Sequence, residues 1–378
     1  VLVALGDGNE NELILKEQSA AHYSFSKGTS QQSYPSSTMG SIALLRQTYL
    51  DAEWYKNTIT AGRQEKSKKE INLSLNAWNN LQKIPQIFEV NNKLDVLRAD
   101  KVGDEFGIQY IIKTGGDDYQ RIEEIKASGA SCILTLNFPK PYDVQDPYMA
   151  LNVTLAQMKH WEMAPANPAV FEKNNIPFAI TLSDLNDNKD FWKNLQKAIQ
   201  YGINDTAVLK ALTAAPAAML GIEDKLGALR KGMVANFIIT SGNLFDKKTT
   251  IYENWVQGAP YIIHDYNIPD IRGSYTLKVD TNSYNLEIGG TASGPEAKIK
   301  INDSTKVKVE TTISEKTISM NFTLKEAGIK GTIRLNGTIN KDNWKGNGQL
   351  PDGNWIEWEA VRKADFKEDS VKKDTKND

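Results

Sequence analysis

The sequence predicts two architectures in tandem, an α/β segment followed by an all-β segment. Three observations lead there. Between residues 85 and 215, short apolar runs alternate with helical segments, the rhythm of βαβ units and a parallel sheet. Between residues 268 and 362 the helical period is lost, and about eight short runs alternate polar and apolar residues, as in a small antiparallel barrel or sandwich. The chain has 378 residues, more than one ordinary domain of roughly 150 residues holds.

Taken in order, VLVAL and ELILKE read as two short strands around the turn-like GDGNEN. The chain opens inside the first of them with no methionine, so a processed or truncated N-terminus is expected. After the polar SKGTSQQSYPSS, read as a surface loop, Ser36, Ser37 or Thr38 is placed to cap a helix carrying Ile42, Leu45, Tyr49 and Trp54. The runs IFEV (87–90), QYIIK (109–113), CILTL (132–136) and FAITL (178–182) are predicted parallel strands. The helices between them end at glycines such as Gly107 and Gly129, the usual C-cap residue. Four such units fit half of a (β/α)8 barrel or part of a doubly wound sheet, and periodicity does not choose between them.

A helix starts near Asn204, another runs from Ala214 to Gly221, and the strands VANFIIT and ENWVQGAPYIIHD follow. The all-β run then reads GSYTLKV, YNLEIG, AKIKI, KVKVETTI, TISMNFTL, KGTIRLNGTI, WKGNGQL and NWIEWEAV. Residues 363–378 are almost entirely polar or charged and are predicted to be a disordered tail.

Composition narrows the function. Lys plus Arg number 45 against 47 Asp plus Glu, which gives no reason to expect a nucleic-acid partner. No apolar run reaches the roughly 18 residues that span a bilayer, and no signal peptide is visible. The single cysteine, Cys132, excludes an intrachain disulfide and any CxxC motif. Only three histidines are present, His22, His160 and His264, little material for an imidazole metal site.

The segment Thr213-Ala-Ala-Pro216-Ala217, then Leu220-Gly221, Leu226-Gly227, Gly232 and Ala235-Asn236 resembles the C-terminal signature of the amidohydrolase superfamily. Met233 and Asn236 stand where that signature usually has Lys and Asp. The resemblance implies that residues 1–225 are the second half of a (β/α)8 TIM barrel, that 226–267 are accessory strands, and that 268–362 are an appended β domain. It implies a reaction class too, metal-dependent hydrolysis of C–N bonds. One or two divalent metals, zinc or similar, would sit at the barrel mouth and activate a water. The family's ligands are a His-x-His after the first strand, one His each after the fifth and sixth, and an Asp after the eighth that also takes the water's proton.

Here the eighth-strand position is Asp184, the one site residue the resemblance supplies. The fifth-strand position reads Asn91-Asn92-Lys93, the sixth Lys113-Thr114-Gly115, and no His-x-His occurs. One carboxylate is short of the three protein ligands of a catalytic zinc, and an ammonium at Lys113 repels a cation. No metal ligand set and no cofactor are therefore expected in this chain, which leaves Asp184 as a relic ligand or proton acceptor on the family reading. More narrowly, AAHYSFSKGTSQQSYPSSTMGSIALLRQTYLDAEWY and HWEMAPANPA are similar to degenerate amidohydrolase modules of large proteins from Bacteroidetes-type bacteria. That similarity implies a periplasmic or other extracytoplasmic setting and a catalytic amidohydrolase module downstream.

Three functions follow as expectations. The first is a non-catalytic module that supports the catalytic one by scaffolding, dimerisation or substrate capture. The second is a working hydrolase that completes its metal site with upstream ligands. The third is ligand binding by the β domain. A half barrel exposes strand edges, so an upstream segment, a second chain or a homodimer partner is expected to cover it.

The other candidates have plain readings. Asp184 could instead cap a helix over Asn186–Trp192. His22, His160 and His264 are expected to be structural. Gly115-Gly116 could offer an anion site, but Asp117 and Asp118 would fill that helix start themselves. Glu123 and Glu124 point apart on one helix. Asp143, Asp146 and Tyr148 lie on a loop at the barrel mouth, Cys132 is expected to be buried and inert, and Trp344, Trp355 and Trp358 are expected to plug the β domain.

Overall fold

The computed structural model describes residues 1–62, 71–246, 249–266, 268–291, 294–302, 305–324 and 331–366. The chain forms two units, residues 1–236 with 256–259, and residues 237–255 with 260 onward.

In the first unit, β1 (Leu2–Val3) and β2 (Ile14–Lys16) pair antiparallel around the short helix α1 (Glu10–Leu13). A five-stranded sheet follows, in the order β3 (Ala21–Ser24), β4 (Gln86–Glu89), β5 (Ile111–Lys113), β6 (Cys132–Thr135), β7 (Phe178–Thr181), and every pairing is parallel. The helices are α2 (Thr38–Gly62), α3 (Leu73–Leu81), α4 (Lys93–Phe106), α5 (Ile122–Ser128), α6 (Pro147–Ala150), α7 (Leu155–Met163), α8 (Asn167–Lys173), α9 (Asp190–Gln200), α10 (Asp205–Leu212) and α11 (Ala214–Met219). Gly107 and Gly129 close α4 and α5 in the left-handed conformation, at φ 68° and 69°, as the sequence predicted.

Four of the five strands are those read from the sequence. The fifth, β3, carries only Ala-His-Tyr-Ser, too short and too polar for a periodic signal. On one side of the sheet Phe88, Ile112, Cys132 and Leu134 are fully buried. Aromatic rings pack around Phe88: Tyr23 stacks on it and Phe25 and Tyr110 lean against it. Tyr49, on α2, shares a hydrogen bond of 2.6 Å between hydroxyls with Tyr110. Trp54 does not join them. It lies about 140° round the helix from Tyr49 and is 66% exposed.

In the second unit, β8 (Phe237–Thr240), β9 (Ile251–Val256) and β10 (Ala259–Ile262) form a three-stranded sheet in the order β10-β9-β8. The rest is a closed barrel of β11 (Gly273–Val279), β12 (Asn282–Thr291), β13 (Gly294–Lys300), β14 (Lys306–Ser314), β15 (Thr317–Phe322), β16 (Ile333–Asn340), β17 (Asn343–Gln349) and β18 (Trp355–Asp365). Each strand pairs antiparallel with the next, and β18 returns to β11.

Period-2 alternation sends one side chain in two inward, so Tyr275, Leu277, Leu286, Ile299, Met320, Leu335, Trp344 and Ala360 fill the interior. Gly337 faces Gly346 across β16 and β17 because Trp358 needs the space. A Cβ at Gly337 would lie 2.6 Å from the indole Cζ2. The last strand runs to Asp365, into the stretch read as tail, and residues 367–378 of that stretch lie outside the described residues. No helix among the described residues is long and apolar enough to cross a membrane.

Candidate functional site

The C-terminal ends of β4, β5 and β7 bring three charged side chains together. Glu89 ends β4, Lys113 ends β5, and register sets them opposite each other. Asp184 sits in the turn after β7, with its backbone left-handed at φ 70°, uncommon for a residue that is not glycine. That turn is held by Thr135, whose Oγ1 donates to the Ser183 carbonyl at 3.1 Å.

Lys113 Nζ lies 2.5 Å from Glu89 Oε1 and 2.9 Å from Asp184 Oδ2. Lys113 is only 9% exposed. Burial acts to lower its pKa, but hydrogen bonds to Glu89 and Asp184 more than offset it and raise the pKa above the ordinary lysine value. The group is a fixed ammonium. Asp184 is thus an ion-pair partner, and the alternative of a helix cap is corrected: α9 begins at Asp190, with Lys189 at its N-cap.

The neighbouring loops are filled by their own side chains. Asn92 Oδ1 caps α4 by accepting from Leu94 N and Asp95 N. Asp117 accepts from Lys93 N at 2.7 Å and pairs with Lys93 Nζ at 3.0 Å. It therefore serves the start of α4 and not the helix that follows it in sequence. Asp118 is buried and accepts from Asn167 Nδ2 at 3.0 Å, and burial holds its carboxyl above the usual range. The backbone of Asn91 approaches so closely that a Cβ at Gly115 would lie 2.1 Å from its carbonyl oxygen.

The remaining candidates stand apart from this mouth. His22 is exposed on β3, in register with Ile87 and not with Glu89. The His160 ring stacks on Tyr119, with Nδ1 at 3.2 Å from the Tyr119 hydroxyl, and His264 Nδ1 is 2.8 Å from the Ile251 carbonyl oxygen. Asp146 caps α6 through Tyr148 N, and Asp143 accepts from Gln145 N. Glu124 pairs with Arg121 at 2.9 Å. Cys132 is fully buried, which pushes its thiol up. Trp344 and Trp358 are buried in the barrel as expected, but Trp355 is 73% exposed. It lies on the outward side of β18, in the phase opposite to Trp358.

Among the described residues no group of three or more His, Cys, Asp or Glu is placed to hold a metal. The donor set at the mouth is two carboxylates already matched to an ammonium, which does not fit a divalent ion. Sequence reasoning missed Glu89. Its signal was a single acidic residue inside an otherwise apolar run.

No protein-family model matches the chain, and no curated protein matches its sequence. Among solved structures, an amidohydrolase from Thermotoga maritima MSB8 aligns with a TM-score of 0.54 at 21% identity, over 67% of this chain and 64% of that one. Over the aligned part, the fold is that of an amidohydrolase. Molinate hydrolase (TM-score 0.34, 14% identity, 48% and 44% of the two chains) and the A. niger ochratoxinase (0.34, 18%, 48% and 42%) match more loosely. This chain spans 64% of the length of the Thermotoga relative, and its amidohydrolase-like sheet is a partial barrel of five strands.

Proposed function

We propose that this chain is an amidohydrolase-superfamily module that does not itself hydrolyse C–N bonds and that supports a catalytic amidohydrolase module elsewhere in the same protein or assembly. The observation that carries this reading is the placement of the imidazoles. None of the three stands beside Asp184 at a strand end, where a metal-activated water would need them. No metal or other cofactor belongs to the module on this reading. Its periplasmic setting comes with the resemblance to the large modular proteins.

The role is structural support through an open face. Beside the start of β7 lies a cavity of about 910 Å³ lined by residues such as Ile111, Phe178, Ala211, Ala214, Ala218 and Leu226. On α2, Met39, Leu50 and Trp54 are exposed. Apolar surface beside an open sheet favours a further polypeptide segment, from the same protein or a second copy, as the covering partner. The filled barrel interior weighs against a ligand cavity inside the β domain.

The test is elemental mass spectrometry of the purified protein after dialysis without chelator. A resident metal would register about one equivalent. The reading expects less than about a tenth of that. Near-stoichiometric zinc, manganese or iron that disappears in Asp184→Asn would overturn it.

A further inference from the structure

The interior of the barrel is filled, so a ligand of the barrel meets its outward side chains, and these differ around the wall. On β13 and the first half of β14 they are Glu296, Lys298, Lys300, Lys306, Lys308 and Glu310, the ordinary charged covering of a solvated strand. From the end of β14 across β15–β17, hydroxyls and amides take over. Register sets Thr312 opposite Ser319, Ser319 opposite Asn336, Asn336 opposite Asn347 and Asn347 opposite Glu357. This row crosses five strands and spans about 19 Å at the usual strand spacing. Among the described residues, the side chains of Thr312, Ser319, Asn336 and Asn347 hydrogen-bond to no other protein group. The row runs through a depression of about 550 Å³. A second, of about 490 Å³, shares Lys345 and Asn347 with it and reaches Glu357 and Glu359.

Trp355 stands at the edge of this face. It lies opposite Gln349, in the same outward phase of β18 as Glu357, and is 73% exposed. An indole in water leaves a large apolar surface unburied. Amide and hydroxyl side chains both donate and accept hydrogen bonds, as sugar hydroxyls do, and a flat indole suits the C–H face of a sugar ring. The charged neighbours Arg334, Lys345, Glu357 and Glu359 cancel in sign, Lys345 lying 3.4 Å from Glu359. The face therefore has no excess of cations to hold a phosphate or an acidic polymer. We propose that the outer wall formed by β14–β18 is a binding face for a neutral carbohydrate chain, with Trp355 as its stacking platform and Asn336 and Asn347 as hydrogen-bonding groups. The length of the row suits an extended oligosaccharide more than a single sugar.

The experiment is affinity electrophoresis of the full chain in native gels that contain dextran, galactomannan or mixed-linkage β-glucan, all neutral, or heparin, which is anionic. Wild type should be retarded by at least one of the neutral polymers. Trp355→Ala, a change at an exposed position, should raise the dissociation constant for that polymer at least about tenfold. Asn336→Ala combined with Asn347→Ala should weaken binding as well, with Trp355 in place. Circular dichroism matching wild type checks that each variant keeps its barrel. Retardation by none of the neutral polymers would overturn the proposal, and so would retardation by heparin alone. Neutral-polymer binding that survives both the Trp355 change and the paired asparagine changes would put the site elsewhere and overturn it too. Self-association lost in Trp355→Ala, with no retardation by any polymer, would instead assign the tryptophan to a contact between copies.

Discussion

In the barrel every strand has a hydrogen-bonded neighbour on each side, because β18 returns to β11; in the parallel sheet, β3 and β7 each have one neighbour among the described residues. The same contrast runs through the interiors. The barrel buries a continuous set of side chains from all eight strands. The sheet buries Phe88, Ile112, Cys132 and Leu134 on its helix side, while its strand ends hold Glu89 and Lys113 at an open mouth. Closure completes hydrogen bonding and core together. In the parallel sheet, the edge strands keep backbone groups that no strand among the described residues pairs, and charged groups stand at the strand ends.

The largest expected effect lies in the closed region. Trp344 is fully buried, its ring 4.2 Å from that of Tyr275, with Nε1 donating to the Lys341 carbonyl at 3.2 Å. Trp344→Ala should cost about 3–5 kcal/mol, read as an early barrel transition in urea with the parallel unit's signal unchanged. A single transition shifted for the whole chain would break the comparison by showing that the two regions do not unfold separately.

Next comes Gly337→Ala. The added Cβ would meet the Trp358 indole at 2.6 Å and the Lys345 carbonyl oxygen at 2.4 Å. Overpacking of this kind costs about 1–3 kcal/mol, measurable as a lower urea midpoint. An unchanged midpoint would mean that the barrel wall yields where close packing says it should not.

The open region offers a pH test. Burial, with Asp104 nearby, pushes the Asp100 carboxyl up to about 6, against about 3.9 in an unfolded chain. A raised carboxyl pKa means that the folded state holds the proton more tightly. Its stabilisation is full below about pH 4 and is lost as pH rises through about 6. Asp100→Asn should therefore match wild type near pH 4 and exceed it by about 1 kcal/mol near pH 8, after allowance for solvent screening. Thermal melts at the two pH values check this, and a variant less stable at both would refute it. The smallest effect belongs to Trp355→Ala. Its side chain is 73% exposed, so the change in barrel stability should stay within about 0.5 kcal/mol.

How much of this was legible in the sequence also differs between the regions. All eight barrel strands stand out because period-2 alternation and turns such as PDGN repeat along the chain. Four parallel strands show as apolar runs, and β3 does not, having one aromatic among four residues. At the mouth, Asp184 follows from the resemblance and Lys113 from its place at a strand end. Their union with Glu89 was hidden because it depends on cross-strand register between residues 24 positions apart, which no single-segment period reports. Trp54 and Trp355 misled for a related reason: spacing marks them apolar, and only the phase of the helix or strand says which way they face.

The most direct test of the contrast is native-state hydrogen exchange on the purified full chain, resolved by segment. Amides of β11–β18 should exchange only through unfolding of the barrel, all with similar protection, while those of β3 and β7 should exchange orders of magnitude faster than those of β5 between them. If β3 and β7 were as protected as β5 in a protein shown to be monomeric and free of bound peptide, the sheet would be complete as it stands, and the account of an open module awaiting a partner would be wrong.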